Sequence, residues 1–103
     1  MVKSIYLAEV LFTNQISSKV RPVLILKQNS FGDLIYMPIS TNMLNKGIEI
    51  SNLDFDSGNI PQMSKIIIEK IGVIHSSLLI KKLATLSDLK FQNIINEFIL
   101  FLK

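Results

Sequence analysis

The chain has 103 residues, 49% of them hydrophobic, with eleven Lys and Arg against eight Asp and Glu and no cysteine. That length predicts one domain over residues 1–103, with a core large enough to stand without disulfides or a structural metal. Without cysteine, disulfides and thiolate metal sites are excluded, and the cytoplasm is the default compartment.

The formal net charge is +3 and the isoelectric point about 9.3, a mildly basic balance that is compatible with a nucleic-acid partner but does not establish one. A mean hydropathy of +0.41 leaves surplus apolar surface, for which a symmetric partner subunit is the usual cover. No apolar run reaches the roughly 18 residues of a membrane span. Glu9 interrupts the first apolar stretch, which argues against a signal peptide.

Ser4 to Phe12 reads as a strand, apolar on both alternating faces except at Glu9. Thr13 to Val20 is polar and reads as a loop, with turn propensity in Asn14, Ser17 and Ser18. It is long for a hairpin connection, and long loops often carry binding function. Arg21 to Gln28 is a second strand, with Pro22 at its start, where a missing N–H is tolerated. Asn29 to Gly32 is a turn, and Asp33 to Ser40 is a third strand. Arg21 is the sole arginine among the cationic residues, and its planar fork of donors suits phosphate or carboxylate in a way that lysine does not. A hairpin centred between Ser30 and Phe31 places Arg21 opposite Ser40, with Cβ atoms about 5 Å apart on one face. A slip of one residue would separate them onto opposite faces.

Thr41 to Lys46 is polar, and Gly47 to Ile50 is a short strand. Ser51 to Gly58 reads as a loop. Its Asp54 and Asp56 lack the further oxygen ligands of a calcium loop, because Ile60 and Pro61 follow. Ser64 to Ile71 is a strand broken by Gly72. His75, the single histidine, has no companions for a metal site or a histidine-pair nuclease and reads as structural. Leu78 to Lys82 reads as a helical turn and Leu83 to Leu86 as a short strand. Ser87 to Leu102 is a helix with Ser87 as N-cap and Asp88 in the first turn. Phe91, Ile94, Ile95, Phe98 and Leu102 form its apolar stripe. Leu100 and Phe101 lie off the stripe and point to a covered second face, hence a dimer. Six or seven short strands and one C-terminal helix predict a mainly β fold, a small, strongly bent antiparallel sheet or barrel.

The order and spacing of I-Y-L-A-E-V-L-F, R-P-V-L-I-L, P-I-S-T and K-I-G-V-I-H-S-S-L-L-I-K-K-L-A-T-L-S resemble the MazF/PemK toxins of toxin–antitoxin systems over nearly the whole length. The resemblance implies an SH3-like barrel of the CcdB/PemK type, a homodimer, and an endoribonuclease that cleaves single-stranded RNA without metal or cofactor. It implies catalytic roles for Arg21 and Ser40, with Thr41, Lys19, Ser18, Gln15, Asn14 and Pro22 in substrate binding. The loop Thr13 to Val20 matches the mobile loop that gates substrate, and a cognate antitoxin is the implied protein partner. The chain departs from the family pattern at several points. Lys3-Ser4 stand where a glycine and an acid are usual. The loop has no glycine and offers only Gln15 for its customary acid or glutamine. Ala84 replaces a common glycine, and Ser40 lacks the methyl that fixes a threonine rotamer. A gyrase-binding poison of the CcdB type shares this barrel, but those toxins bind through C-terminal side chains that include a tryptophan, and this chain has none. A catalytically inactive barrel that binds RNA or an antitoxin is the third reading.

Overall fold

The computed structural model describes residues 1–11 and 18–103. Among these lie eight strands: β1 (Ser4–Leu11), β2 (Ser18–Gln28), β3 (Leu34–Ser40), β4 (Ile48–Ile50), β5 (Phe55–Gly58), β6 (Ser64–Ile66), β7 (Gly72–Ile74) and β8 (Leu79–Leu86). They are followed by the helix α1 (Asp88–Leu102). Seven of the strands form one continuous path in the order β4-β6-β3-β2-β1-β8-β5, and β7 pairs with β3 beside it. Every pairing is antiparallel. The result is the mainly β half-barrel with one C-terminal helix that the sequence predicts. Bulges in the β1–β8 ladder, between Ile5 and Tyr6 and between Leu7 and Ala8, bend the sheet.

Strand periodicity sorts the apolar residues onto two faces. On one face Ile5, Leu24, Met37 and Ile39 are buried together with Ile94 of α1, and Phe91 and Phe98 pack against them. On the other face Ala8, Val10, Val23, Ile25, Leu34 and Tyr36 form a smaller cluster. This explains why β1 reads as apolar on both faces. Ile94 is fully buried, which stabilises the fold by roughly 1.5–3 kcal/mol. The helix starts where expected: Ser87 Oγ accepts from the Lys90 backbone N–H at 3.2 Å, and Asp88 pairs with Lys3. Leu102 departs from the predicted stripe and is exposed, as are Leu100 and Phe101.

Four elements differ from the sequence expectation. β2 begins at Ser18 rather than Arg21, because Ser18, Lys19 and Val20 find backbone partners in Leu11, Val10 and Glu9. Pro22 therefore sits inside a long strand rather than at its start. The rest of the predicted loop, Thr13 to Ser17, lies outside the described residues. The Ser51–Gly58 stretch is ordered: a capping box joins Ser51 and Asp54 around a 3₁₀ turn, and β5 then pairs with β8. The Asp54 carboxylate accepts from the Ser51 N–H at 2.9 Å. Leu79 to Lys82 is strand rather than helical turn, because β1 offers a second edge that β8 fills. Only Ser76–Leu78 is helical there, capped by His75 Nδ1 accepting from the Ser77 N–H at 3.1 Å. The structural reading of His75 agrees with that cap. The predicted strand Ser64–Ile71 is split, with consequences taken up below.

Two glycines hold positive φ, Gly32 at 84° and Gly58 at 76°. A Cβ on Gly32 meets nothing within 4 Å, whereas one on Gly58 would run into the Leu83 carbonyl and stand 2.6 Å from Ala84 Cα. Gly32→Ala should therefore cost about 1–2 kcal/mol of left-handed strain alone. Gly58→Ala should cost more, because β5 must also part from β8. Chemical denaturation of both variants checks this order; equal losses would show that the Gly58 contact is relieved cheaply.

Candidate functional site

The site is built where the β2–β3 ladder ends. That ladder runs through Ile25↔Tyr36 and Leu24↔Met37 and stops at Val23↔Pro38. The Pro38 carbonyl points away from β2 and accepts from the Ile67 N–H at 2.9 Å. By strand alternation the next residue, Ile39, presents its carbonyl to β2. The residue opposite it in that register is Pro22, which has no N–H to donate. The ladder therefore loses its next pair here, beside the groove, and the same register, extended, places Arg21 opposite Ser40.

The opposite wall comes from the run read as one strand, Ser64–Ile71. β3 pairs with β6 through Ile39↔Ile66 and with β7 through Tyr36↔Gly72. The first register, extended, would bring Tyr36 to Glu69, so three extra residues are taken up between the two pairings. They are absorbed in the 3₁₀ turn Ile68–Lys70, which bulges from the strand line. Ile67, Lys70 and Ile71 of this bulge line the groove.

The groove has a volume of about 740 Å³. Arg21, Pro22, Ser40 and Thr41 all line it, so four of the sequence-derived site residues come together. Arg21 is exposed and stands on a strand held from both sides, by β1 through Ala8 and by β3 just beyond it. Lys19 is exposed one pleat further along the same face of β2 but does not line the groove. Ser18 opens β2 opposite Leu11. Asn14 and Gln15 lie outside the described residues.

Ser40 is held by the segment that follows it. Its Oγ accepts from the Asn42 backbone N–H at 3.1 Å and from Asn45 Nδ2 at 3.0 Å. Asn42 in turn accepts the Leu44 N–H on its side chain at 3.0 Å and the Asn45 N–H on its carbonyl at 3.1 Å. Asn42, Asn45, Tyr36 and Lys70 line the groove and are missing from the sequence-derived set. Asn42 could have been found from its turn propensity just after a serine. For Lys70 and Tyr36 no local signal exists, because β3 and the bulge create their placement. Burial pushes the Tyr36 phenol above its ordinary value, so the ring stays neutral and can donate. Among the described residues no group of three His, Cys, Asp or Glu could hold a metal ion.

A bent antiparallel half-barrel with one covering helix defines a small SH3-like barrel, with a surface groove of mixed polar and apolar lining that includes an arginine and a serine. A model of the PemK-like, MazF-like toxins of type II toxin–antitoxin systems matches residues 3–102, and the chain belongs to that family. No curated protein matches it significantly. Among the described residues no helix is long and apolar enough to cross a membrane.

Gly72 is placed directly opposite Tyr36, and a Cβ there would stand 3.0 Å from the ring and from its hydroxyl. Gly72→Ala should push the Tyr36 ring within the groove and cost about 1–3 kcal/mol of stability. Thermal unfolding measures the loss, and Gly72→Ala combined with Tyr36→Leu should recover part of it. No recovery would mean that the ring is not what the methyl strikes.

Proposed function

We propose that the protein is the ribonuclease toxin of its system, cutting single-stranded RNA in the groove between β2 and the Ile67–Ile71 bulge. The observation that carries this reading is that Arg21 and Ser40 line one groove at the end of the β2–β3 ladder. In this reaction the ribose 2′-oxygen attacks the adjacent phosphorus and loses its proton, while the bond from phosphorus to the 5′-oxygen breaks and that oxygen gains a proton. The products are a 2′,3′-cyclic phosphate and a 5′-hydroxyl. The nucleophile already belongs to the substrate, so the chemistry needs neither metal nor cofactor. The protein must stabilise a dianionic phosphorane and hold the strand in line.

Arg21 supplies the charge. Guanidinium groups do not deprotonate in proteins, so its main task is to bind the phosphorane oxygens through its fork of donors. Ser40 hydrogen-bonds the phosphate or the 2′-oxygen, and Thr41, beside it in the groove, can take its place. Lys19, Ser18, Asn14 and Gln15 steer the strand toward Arg21, and Pro22 shapes the wall behind it. The substrate and a cognate antitoxin place the protein in the cytoplasm. The antitoxin would cover the groove with an acidic segment, and the mild positive charge favours that contact. Two copies would pair through apolar surface left exposed on one chain, such as Leu100 and Leu102 at the end of α1.

Incubation with a long RNA in EDTA, followed by labelling of 5′-hydroxyl ends, tests the reading. Wild type should cut, and Arg21→Ala and Arg21→Lys should each lose about 10²–10³-fold or more in rate while remaining folded. Cutting by Arg21→Ala at the wild-type rate would overturn the role of Arg21. No EDTA-resistant cutting by wild type would leave a protein-binding poison or an inactive barrel.

A further inference from the structure

We infer that Asn45 is a positioning residue that fixes Ser40 as a hydrogen-bond donor toward the groove; the inference rests on the ribonuclease reading of that groove. A serine hydroxyl has two acceptor lone pairs and one proton to give. At Ser40 both acceptor positions are taken, one by the Asn42 backbone N–H at 3.1 Å and the other by Asn45 Nδ2 at 3.0 Å. What remains to the hydroxyl is its proton, and Ser40 lines the groove with Arg21. The arrangement makes Ser40 a donor to a phosphate or 2′-oxygen, not a base that takes the 2′ proton.

The two donors differ in kind. The Asn42 N–H is backbone and follows from the turn itself, so any residue but proline could supply it. The Asn45 amide is a side chain, five residues from Ser40 in sequence. Its backbone is anchored by its N–H donating to the Asn42 carbonyl at 3.1 Å, so one turn ties both donors to one oxygen. A threonine would have a methyl to restrict this hydroxyl-bearing carbon. Serine has none, and here the two hydrogen bonds do that work.

Asn45→Asp tests the assignment at almost constant size. A carboxylate cannot donate to Ser40 Oγ but can accept its proton, turning the hydroxyl away from the groove. It also adds a negative charge that repels RNA whatever Ser40 does, so the comparison is a double-mutant cycle with Ser40→Ala. With Ser40 present, Asn45→Asp should lower kcat about tenfold more than it does beside Ser40→Ala. The change in KM should differ between the two backgrounds by no more than about threefold, since the charge acts on binding in each. Equal losses of kcat in the two backgrounds would overturn the inference. The same four proteins are titrated with a 2′-O-methyl RNA, which cannot be cut, and the affinities should show a coupling of about threefold. Absent wild-type cutting with that coupling intact would overturn the ribonuclease reading and leave the donor assignment standing. Additive affinities together with additive rates, or no binding of the RNA by wild type, would overturn the assignment itself.

Discussion

Everything at the groove depends on a hydrogen bond that β2 cannot make. Pro22 stands where an N–H should meet the Ile39 carbonyl, and the ladder between the two central strands stops one pair earlier, at Val23↔Pro38. On the far edge of β3 the Pro38 carbonyl is taken by the Ile67 N–H, which ties the other wall of the groove to the same strand. A proline is tolerated inside β2 because the neighbouring ladder with β1 continues past it, through Leu7↔Pro22 and Ala8↔Arg21. Arg21 therefore stands on a strand that β1 holds at the point where the pairing with β3 ends. A guanidinium carried on a strand is already positioned, whereas the same group on a loop would first have to be ordered.

That Arg21 and Ser40 fall on one groove was legible in the sequence, though by a route that contains an error. The turn was read with its centre between Ser30 and Phe31. The pairs next to the turn, Gln28↔Leu34 and Lys27↔Ile35, are centred on Phe31 instead. The cause is the wider turn, in which Asn29 Oδ1 accepts the N–H groups of both Phe31 and Asp33 at 3.0 Å. A bulge at Leu26 then takes up one residue, and beyond it Ile25↔Tyr36 follows the expected register. The apolar pattern explains why the bulge must be there. Without it Val23 and Ile25 would leave the face they share with Tyr36, and the smaller core cluster would lose its centre. Burial corrected what turn geometry displaced, so the register of a symmetric hairpin holds beyond the bulge although its turn centre does not.

The far wall was not legible, and the reason is physical rather than a weak signal. S-K-I-I-I-E-K-I has uninterrupted β-type composition, and nothing local marks Ile67 as the last residue before a turn. The break is set by β3, which shares one edge between β6 and β7 in registers that differ by three residues. Such an offset is a property of the assembled sheet, and a strand's own residues do not record it. The same holds for Leu79–Lys82, whose strand state depends on the free edge of β1. Asn45 was missed for another reason. Its contact with Ser40 lies inside a turn whose side chains bond one another, and composition announces only that such a stretch is polar.

The departures from the family pattern can now be sorted by where they fall. Lys3 has φ of 68°, the left-handed region where glycine is at ease and other residues pay about 1–2 kcal/mol. Lys3 thus stands, where the resemblance expects a glycine, in a backbone conformation that a glycine would adopt without strain. Three contacts offset the strain. The Lys3 N–H donates to the Ile25 carbonyl at 3.0 Å, its carbonyl accepts from the Leu86 N–H at 2.9 Å, and its ammonium pairs with Asp88. The first two join the start of β1 to β2 and to the end of β8, and the third reaches the first turn of α1, where negative charge already favours the helix dipole. Ser4, the second departure, is buried beside it. Both substitutions therefore act at the seam between sheet and helix, toward the other end of β2 from Arg21. They bear on how the barrel closes and not on the groove, where Arg21, Pro22, Pro38 and Ser40 keep the arrangement on which the proposed chemistry rests.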